Sequence, residues 1–256
     1  MKHLLFAALV QLFLLSLPAS SQDVLILGEV HDNPGHHQVQ AERIKAFEPK
    51  AIVFEMLSAE QAARVTPELL KDQVALADVL KWSDSGWPDF SMYYPIFTAS
   101  NTQIYGAAVS REVARAAMTS GIAGAFGDEA DRYGLTTPLV DKEQAAREAL
   151  QDGAHCDALP DNMLAPMVDI QRFRDAMLAR RTVEAMAETG GPVAVITGNG
   201  HARKDWGMPA ILAHVRPGLE VFVLGQTEDG APLQGVFDEV VSSPAQQRPD
   251  PCLAFQ

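Results

Sequence analysis

The sequence predicts an α/β fold: a mostly parallel sheet flanked by helices, with a smaller helical subdomain. Three observations lead there. Short runs rich in Val, Ile and Leu recur at residues 24–27, 51–54 and 193–197, and strands buried on both faces read in this way. A stretch with helical spacing separates the first two runs, and such a β-α-β interval favours parallel pairing. Each run then breaks off into polar chemistry, and in parallel sheets ligands sit beyond the carboxyl ends of the strands.

The first strand, 24–27, ends in Gly28, and six side chains of metal, proton or haem chemistry come immediately after: Glu29, His31, Asp32, Asn33, His36 and His37. Asp32-Asn33-Pro34-Gly35 is also a turn sequence, which would leave the histidines solvated on the next helix. Turn chemistry alone does not call for Glu29 and His31. Residues 36–47 have helical spacing, with Val39, Ile44 and Phe47 on one side, and Pro49 ends the segment. The second strand, 51–54, also ends in an acid, Glu55. If the two strands run parallel, both carboxylates project toward one sheet edge.

Residues 58–81 read as two helices, the second opened by Thr66-Pro67-Glu68. In 82–97, Gly86 and Pro88 break regular structure, while Trp82, Trp87, Phe90, Tyr93, Tyr94 and Phe97 supply six of the chain's 18 aromatics. This segment is either a loop pinned to the core by its rings or an apolar wall for a flat ligand. A third strand over 103–109 precedes Ser110-Arg111-Glu112, a helix start. Residues 121–139 are glycine-rich and irregular; 141–151 and 161–188 are helical, and the Met and Phe stripe of the latter reads as core. After the fourth strand, small residues lead to His201 and Arg203. A fifth strand lies at 220–224, an edge strand at 236–241, and an extended tail from 244.

Length and charge narrow the function. A chain of 256 residues fits one α/β domain over 22–256, with helical additions at about 58–100 and 140–190. Residues 1–21 read as a cleaved secretory signal: Lys2, an apolar core over 4–17 broken only by Gln11 and Ser16, then Ala19, Ser20 and Ser21. That core is shorter than the ~20 residues a bilayer span needs. No cysteine stands near the cleavage point, so the expectation is an exported, periplasmic protein without a lipid anchor. The formal charge of −13 repels phosphate backbones and argues against nucleic acid as a partner. Cys156 and Cys252, in an oxidising compartment, are expected to pair and tie the C-terminus to the middle helices. His155 beside Cys156 lacks the spacing of a zinc site.

The sheet edge thus gathers Glu29, His31, Asp32, Glu55 and His201, with Arg111 or Arg203 nearby. Two carboxylates and two imidazoles suit a divalent metal (Glu29, His31, Glu55, His201), a general acid/base pair, or a structural network joining strand ends. The sequence contains no HExxH, GxSxG, P-loop or CxxCH.

Five motifs, LGEVHDNPGHHQVQ, VFEM, WSDSGWPDFSMYYPIF, RDAMLA and ITGNGHARKDWGMPAIL, resemble the ChaN-type haem-binding uptake proteins, relatives of the erythromycin esterases and Tiki metalloproteases. The resemblance runs over most of residues 23–213. It implies an α/β sheet with a smaller helical part in an exported protein that binds haem, as a homodimer with haem at the interface and with a haem receptor or transporter as partner. It further implies a tyrosine on iron, Tyr93 first and Tyr94 second, because Tyr93-Tyr94-Pro95 matches the family's Y-x-P element. Phenolate is a hard anionic donor suited to ferric iron. The haem propionates then need donors, and His36, His37, His201, Arg111 and Arg203 are eligible. The esterase and protease branches imply the alternative, a metal-dependent hydrolase using Glu29, Glu55 and His201.

Overall fold

Alternate residues of each central strand face opposite ways, and both faces are buried. Val24, Ile26, Ala51, Val53, Val193 and Val195 enter one core, while Leu25, Leu27, Ile52, Phe54, Ala194 and Ile196 enter the other. The computed structural model describes residues 22–250 and 252–253, so the signal segment expected over 1–21 lies outside the described residues.

In chain order the elements are β1 (Val24–Leu27), α1 (Pro34–Phe47), β2 (Ala51–Phe54), α2 (Ala59–Ala62), α3 (Gln73–Val79), α4 (Phe90–Thr98) and β3 (Gln103–Gly106). Next come α5 (Arg111–Ser120), α6 (Ile122–Phe126), α7 (Asp141–Ala154), α8 (Asp161–Thr189) and β4 (Val193–Ile196). The chain closes with α9 (Asn199–Ala202), α10 (Met208–Val215), β5 (Val221–Glu228) and β6 (Glu239–Ser243). All strand pairs are parallel, in the order β3-β2-β4-β1-β5-β6. The predicted α/β class with a parallel sheet is what the chain forms.

Right-handed crossovers explain which helix covers which face. Connections that step toward β3 carry α1 and α2–α4, whose apolar residues join Leu27 and Phe54. Those that step toward β6 carry α5, α6, α8 and α10, whose residues join Val24 and Val53. The direction reverses between β1 and β4, and a crevice opens at such a switch point. Leu27, Ile196 and Phe54 stand side by side in register, so the segments leaving these three strands emerge at one rim.

Several boundaries differ from the sequence reading. Residues 82–97 are not a loop throughout: Asp89 caps the helix α4, which carries Pro95 inside it. Burial of Phe90, Tyr93, Ile96 and Phe97 on one side outweighs the missing proline N–H. The start expected at Thr66 is replaced by caps at Ser58 and Asp72. Two helices after β4, α9 and α10, went unpredicted because α9 is too short to show periodicity. β3 stops at Gly106, where any Cβ would lie 2.2 Å from the Ser58 carbonyl oxygen, so only glycine lets the edge strand close on residues 57–58. Cys156 and Cys252 are joined, with Cα atoms 5.6 Å apart, the pairing expected from the sequence.

Asn33 starts α1. Its Oδ1 accepts from the Gly35 and His36 amides, and its Nδ2 donates to Glu228 Oε1 at 2.7 Å and to the Pro244 carbonyl at 3.0 Å. Arg248 forks onto both Asp32 and Glu228 nearby, so the tail is strapped to the turn after β1. Asn33→Ala removes the cap and leaves the Pro244 carbonyl unpaired; we expect about 2 kcal/mol of lost stability in urea unfolding. A change under about 0.5 kcal/mol would show that the cap is redundant.

Candidate functional site

The rim begins with Glu29, two residues beyond β1. Its Oε1 accepts from His31 Nδ1 at 2.7 Å and from the Tyr93 hydroxyl at 2.8 Å. Its Oε2 lies 3.4 Å from His37 Nε2, and neither of these two buried atoms has a hydrogen-bond partner among the described residues. Burial pushes the Glu29 carboxyl up, but the His31 hydrogen bond and the nearness of His37 outweigh it and hold it at about 2. Burial likewise works against a charged His31, yet the Glu29 bond and the Glu55 and Asp32 carboxylates raise it to about 9.

Glu55 comes directly after β2. Its Oε2 accepts from the Thr197 hydroxyl at 2.6 Å and the Gly198 amide at 2.8 Å. A Cβ on Gly198 would lie 2.9 Å from His31 Nε2 and 3.8 Å from Glu55 Oε2, so glycine keeps open the space both side chains face. His201, on α9, stands 3.6 Å from Glu55 Oε1 and 2.6 Å from Asp175 Oδ1. Burial opposes charge on His201, while Glu55 and then Asp175 raise it; burial raises Asp175. The row Glu29, His31, Glu55, His201, Asp175 alternates carboxylate and imidazole across three strand ends.

Glu29, Glu55 and His201, far apart in sequence, therefore meet at one rim. The other expected site residues separate by burial. His36 Nδ1 accepts the Val30 amide at 2.9 Å, so Nε2 carries the proton toward the Thr227 carbonyl at 3.1 Å, and burial lowers its basicity. His36 thus stiffens the turn. His37 packs its ring on Tyr93, centroids 4.1 Å apart, inside the core. Arg203 is paired with Asp205 and lies over the Trp206 ring at 3.6 Å. His36 and Arg203 are thus engaged by the fold, while the two ring nitrogens of His37 are buried without a hydrogen-bond partner among the described residues. Only Arg111 of the expected cations lines an open cleft.

Both expected tyrosines hydrogen-bond within the fold. Tyr93 is wholly buried, packed on Trp82, and donates to Glu29. Burial first, and then the Glu29 carboxylate, pushes its hydroxyl far above the usual range. Tyr94 donates to the Leu70 carbonyl at 2.9 Å. Neither presents a free hydroxyl at the rim. Among the histidines His31 stands apart: its side chain is 34% exposed, against 1% for His37 and 7% for His201.

Beside the rim, a cleft of about 600 Å³ is lined by Met56, Gly86, Trp87, Val109, Arg111 and Arg174, among others. A smaller recess of about 120 Å³ shares Trp87 and Arg174 and reaches Glu55. The Trp87 ring meets His31 at a tilt of 58°, centroids 4.8 Å apart. A groove of similar size around Pro49 and Gln103 lies at the opposite strand ends and has no carboxylate or imidazole in its lining. Arg174 and Asp175 were not singled out from the sequence. Both lie in RDAMLA, and Gln171, Arg174 and Asp175 share one helical face at i, i+3, i+4, which was the available signal.

A divalent metal wants about three protein donors around one point. Among the described residues no three His, Cys, Asp or Glu side chains are so disposed. Only His31 Nε2 and Glu55 Oε2 flank the space over Gly198.

The fold is similar to that of ChaN from Campylobacter jejuni, described as binding haem cofacially: TM-score 0.61, 21% identity, 84% of this chain and 85% of that one. Remoter likenesses are the type III effector HopBA1 (TM-score 0.45, 13% identity, 88% of both chains) and a succinoglycan biosynthesis protein (TM-score 0.39, 12% identity, 82% and 67%). No curated protein matches the chain. The sequence pattern of one family, however, runs from residue 17 to residue 212, through β1, Glu55, Tyr93, RDAMLA and His201. By that match the chain belongs to the haem-binding uptake family of the Tiki superfamily, ChaN.

Proposed function

We propose that this protein binds haem at the rim between β1 and β2, and that it is an exported protein handling haem in the cell envelope. The observation that supports this most directly is the cleft lined by Trp87, Arg111 and Arg174, whose Trp87 also meets the partly exposed His31, an imidazole fixed through Nδ1 by a buried carboxylate. Haem iron is commonly held by an imidazole whose other nitrogen donates to a carboxylate. The volume of about 600 Å³ suits a cofactor. Trp87 and Val109 offer apolar contact, and the two guanidiniums suit propionates, which they bind in bidentate fashion. Haem brings an iron centre open to exchange; this chain supplies the imidazole, the apolar wall and the cations. His31 joins Tyr93 and Tyr94 as a candidate iron ligand in our proposal, one that must first give up the proton that Glu29, Glu55 and Asp32 favour.

Export rests on the apolar leader, and among the described residues no helix is long and apolar enough to cross a membrane. A second copy meeting the first at the haem, and a receptor or transporter that exchanges it, belong to the same reading. Titrating residues 22–256 with haemin should give a saturable Soret band, and light scattering should double in mass if two copies share the haem. Replacing Arg111 and Arg174 together by alanine should weaken haemin binding about tenfold, or ~1.4 kcal/mol. Absence of a Soret band in the wild-type chain would end this proposal.

A further inference from the structure

We propose that the tail after β6 is a strap over one flank of the rim, held by the Cys156–Cys252 disulfide and released when a dithiol reduces it. The strap starts where β6 ends, and the Pro244 carbonyl accepts from Asn33 at 3.0 Å. Arg248 then reaches the turn after β1. Its Nε and Nη2 donate to Asp32 at 2.8 and 2.7 Å, and its Nη1 and Nη2 to Glu228 at 2.7 and 2.8 Å. Asp32 directly follows His31, so this guanidinium fixes the turn that carries the rim's partly exposed imidazole. Cys252 is bonded to Cys156, between α7 and α8. Because α8 begins at Asp161 and meets the rim at Asp175, the α7–α8 turn lies roughly 20 Å from the rim along the helix. The tail therefore ties the sheet to the far end of a helical hairpin. Cys156 and Asp157 stand in the left-handed region, at φ 59° and 54°, which non-glycine residues keep only where their surroundings hold them.

Arg248 is 31% exposed, and an ion pair so placed holds little by itself. The disulfide fixes the tail on the far side and keeps the guanidinium at a high effective concentration over its two carboxylates. Release is a two-electron reduction. A thiolate of the dithiol attacks Cys252 Sγ, Cys156 leaves as a thiolate and takes a proton, and the second thiol expels Cys252 from the mixed disulfide. The dithiol ends as a disulfide and the protein as two thiols. Asp32 and Glu228 both bond the same Nη2, so once Arg248 departs two anions face each other, and their repulsion moves the turn away from β5. The experiment is hydrogen–deuterium exchange of the oxidised chain, the same chain reduced with dithiothreitol, Cys156→Ser/Cys252→Ser and Arg248→Gln. Amides of residues 30–33 should exchange about tenfold faster in the last three, with those of β4 unchanged. Unchanged exchange on reduction makes the disulfide a plain staple and overturns the strap. A rise that spreads to β4 overturns it too, because it reports general loosening. Arg248→Gln without effect, its disulfide intact, removes the clamp and with it the proposal. Should the double variant not fold, the reduced wild-type chain decides. No readout involves haem, so the strap and the haem reading fail independently.

Discussion

His31→Ala should lower haemin affinity by at least about 100-fold, more than the loss of a residue behind the ligand brings. The wild-type ring is held from two sides, by Glu29 through Nδ1 and by Trp87 against its face at 4.8 Å. Alanine leaves an imidazole-sized gap in that holder. Free imidazole added to the variant should therefore restore the Soret band at millimolar concentration, which a merely misfolded chain would not allow. Tyr94→Phe, whose hydroxyl serves the Leu70 carbonyl, should bind haemin as the wild type does. If His31→Ala binds unchanged and Tyr94→Phe does not, the ligand has been assigned to the wrong side chain.

Phe54→Ala should cost about 3–5 kcal/mol of stability, the range for truncating a fully buried phenylalanine. Phe54 is the last residue of β2, has no exposed surface and stacks on Phe97 with centroids 4.4 Å apart and planes 9° from parallel. The gap opens between the sheet and α4, under the ring system that encloses Glu29. Urea unfolding should show a lower midpoint with an unchanged slope if only stability has moved. A loss under about 1 kcal/mol would mean that α4 settles into the space, and that its packing does not fix Tyr93.

Much of the frame was written locally. Apolar runs of four residues can be buried only between two layers, so β1, β2 and β4 were legible, as was the long helix α8 from its sustained spacing. The glutamates just past β1 and β2 were legible as a shared edge once parallel pairing was assumed, and the structure places Glu29, Glu55 and His201 there. The aromatic segment was harder to read. Proline and glycine spoke against a helix, and only burial of Phe90, Tyr93 and Phe97 together decided for α4.

The sequence by itself determined the sheet, the acidic and imidazole residues at its edge and the family. The tertiary structure alone decided which of them face outward. Six histidine and tyrosine side chains stood in the expected site, and their chemistry is the same in any sequence: a ring becomes a ligand or a strut according to what surrounds it. Burial turned His36 and Tyr93 into struts, satisfied by backbone and carboxylate, and packed His37 on Tyr93 with its ring nitrogens unpaired. It left His31 about a third exposed against Trp87 and brought Arg174, more than 140 residues further along the chain, to the recess by Glu55 and Trp87. Burial depends on which layers cover a strand end, and that is settled by crossovers over the whole chain rather than by any local pattern.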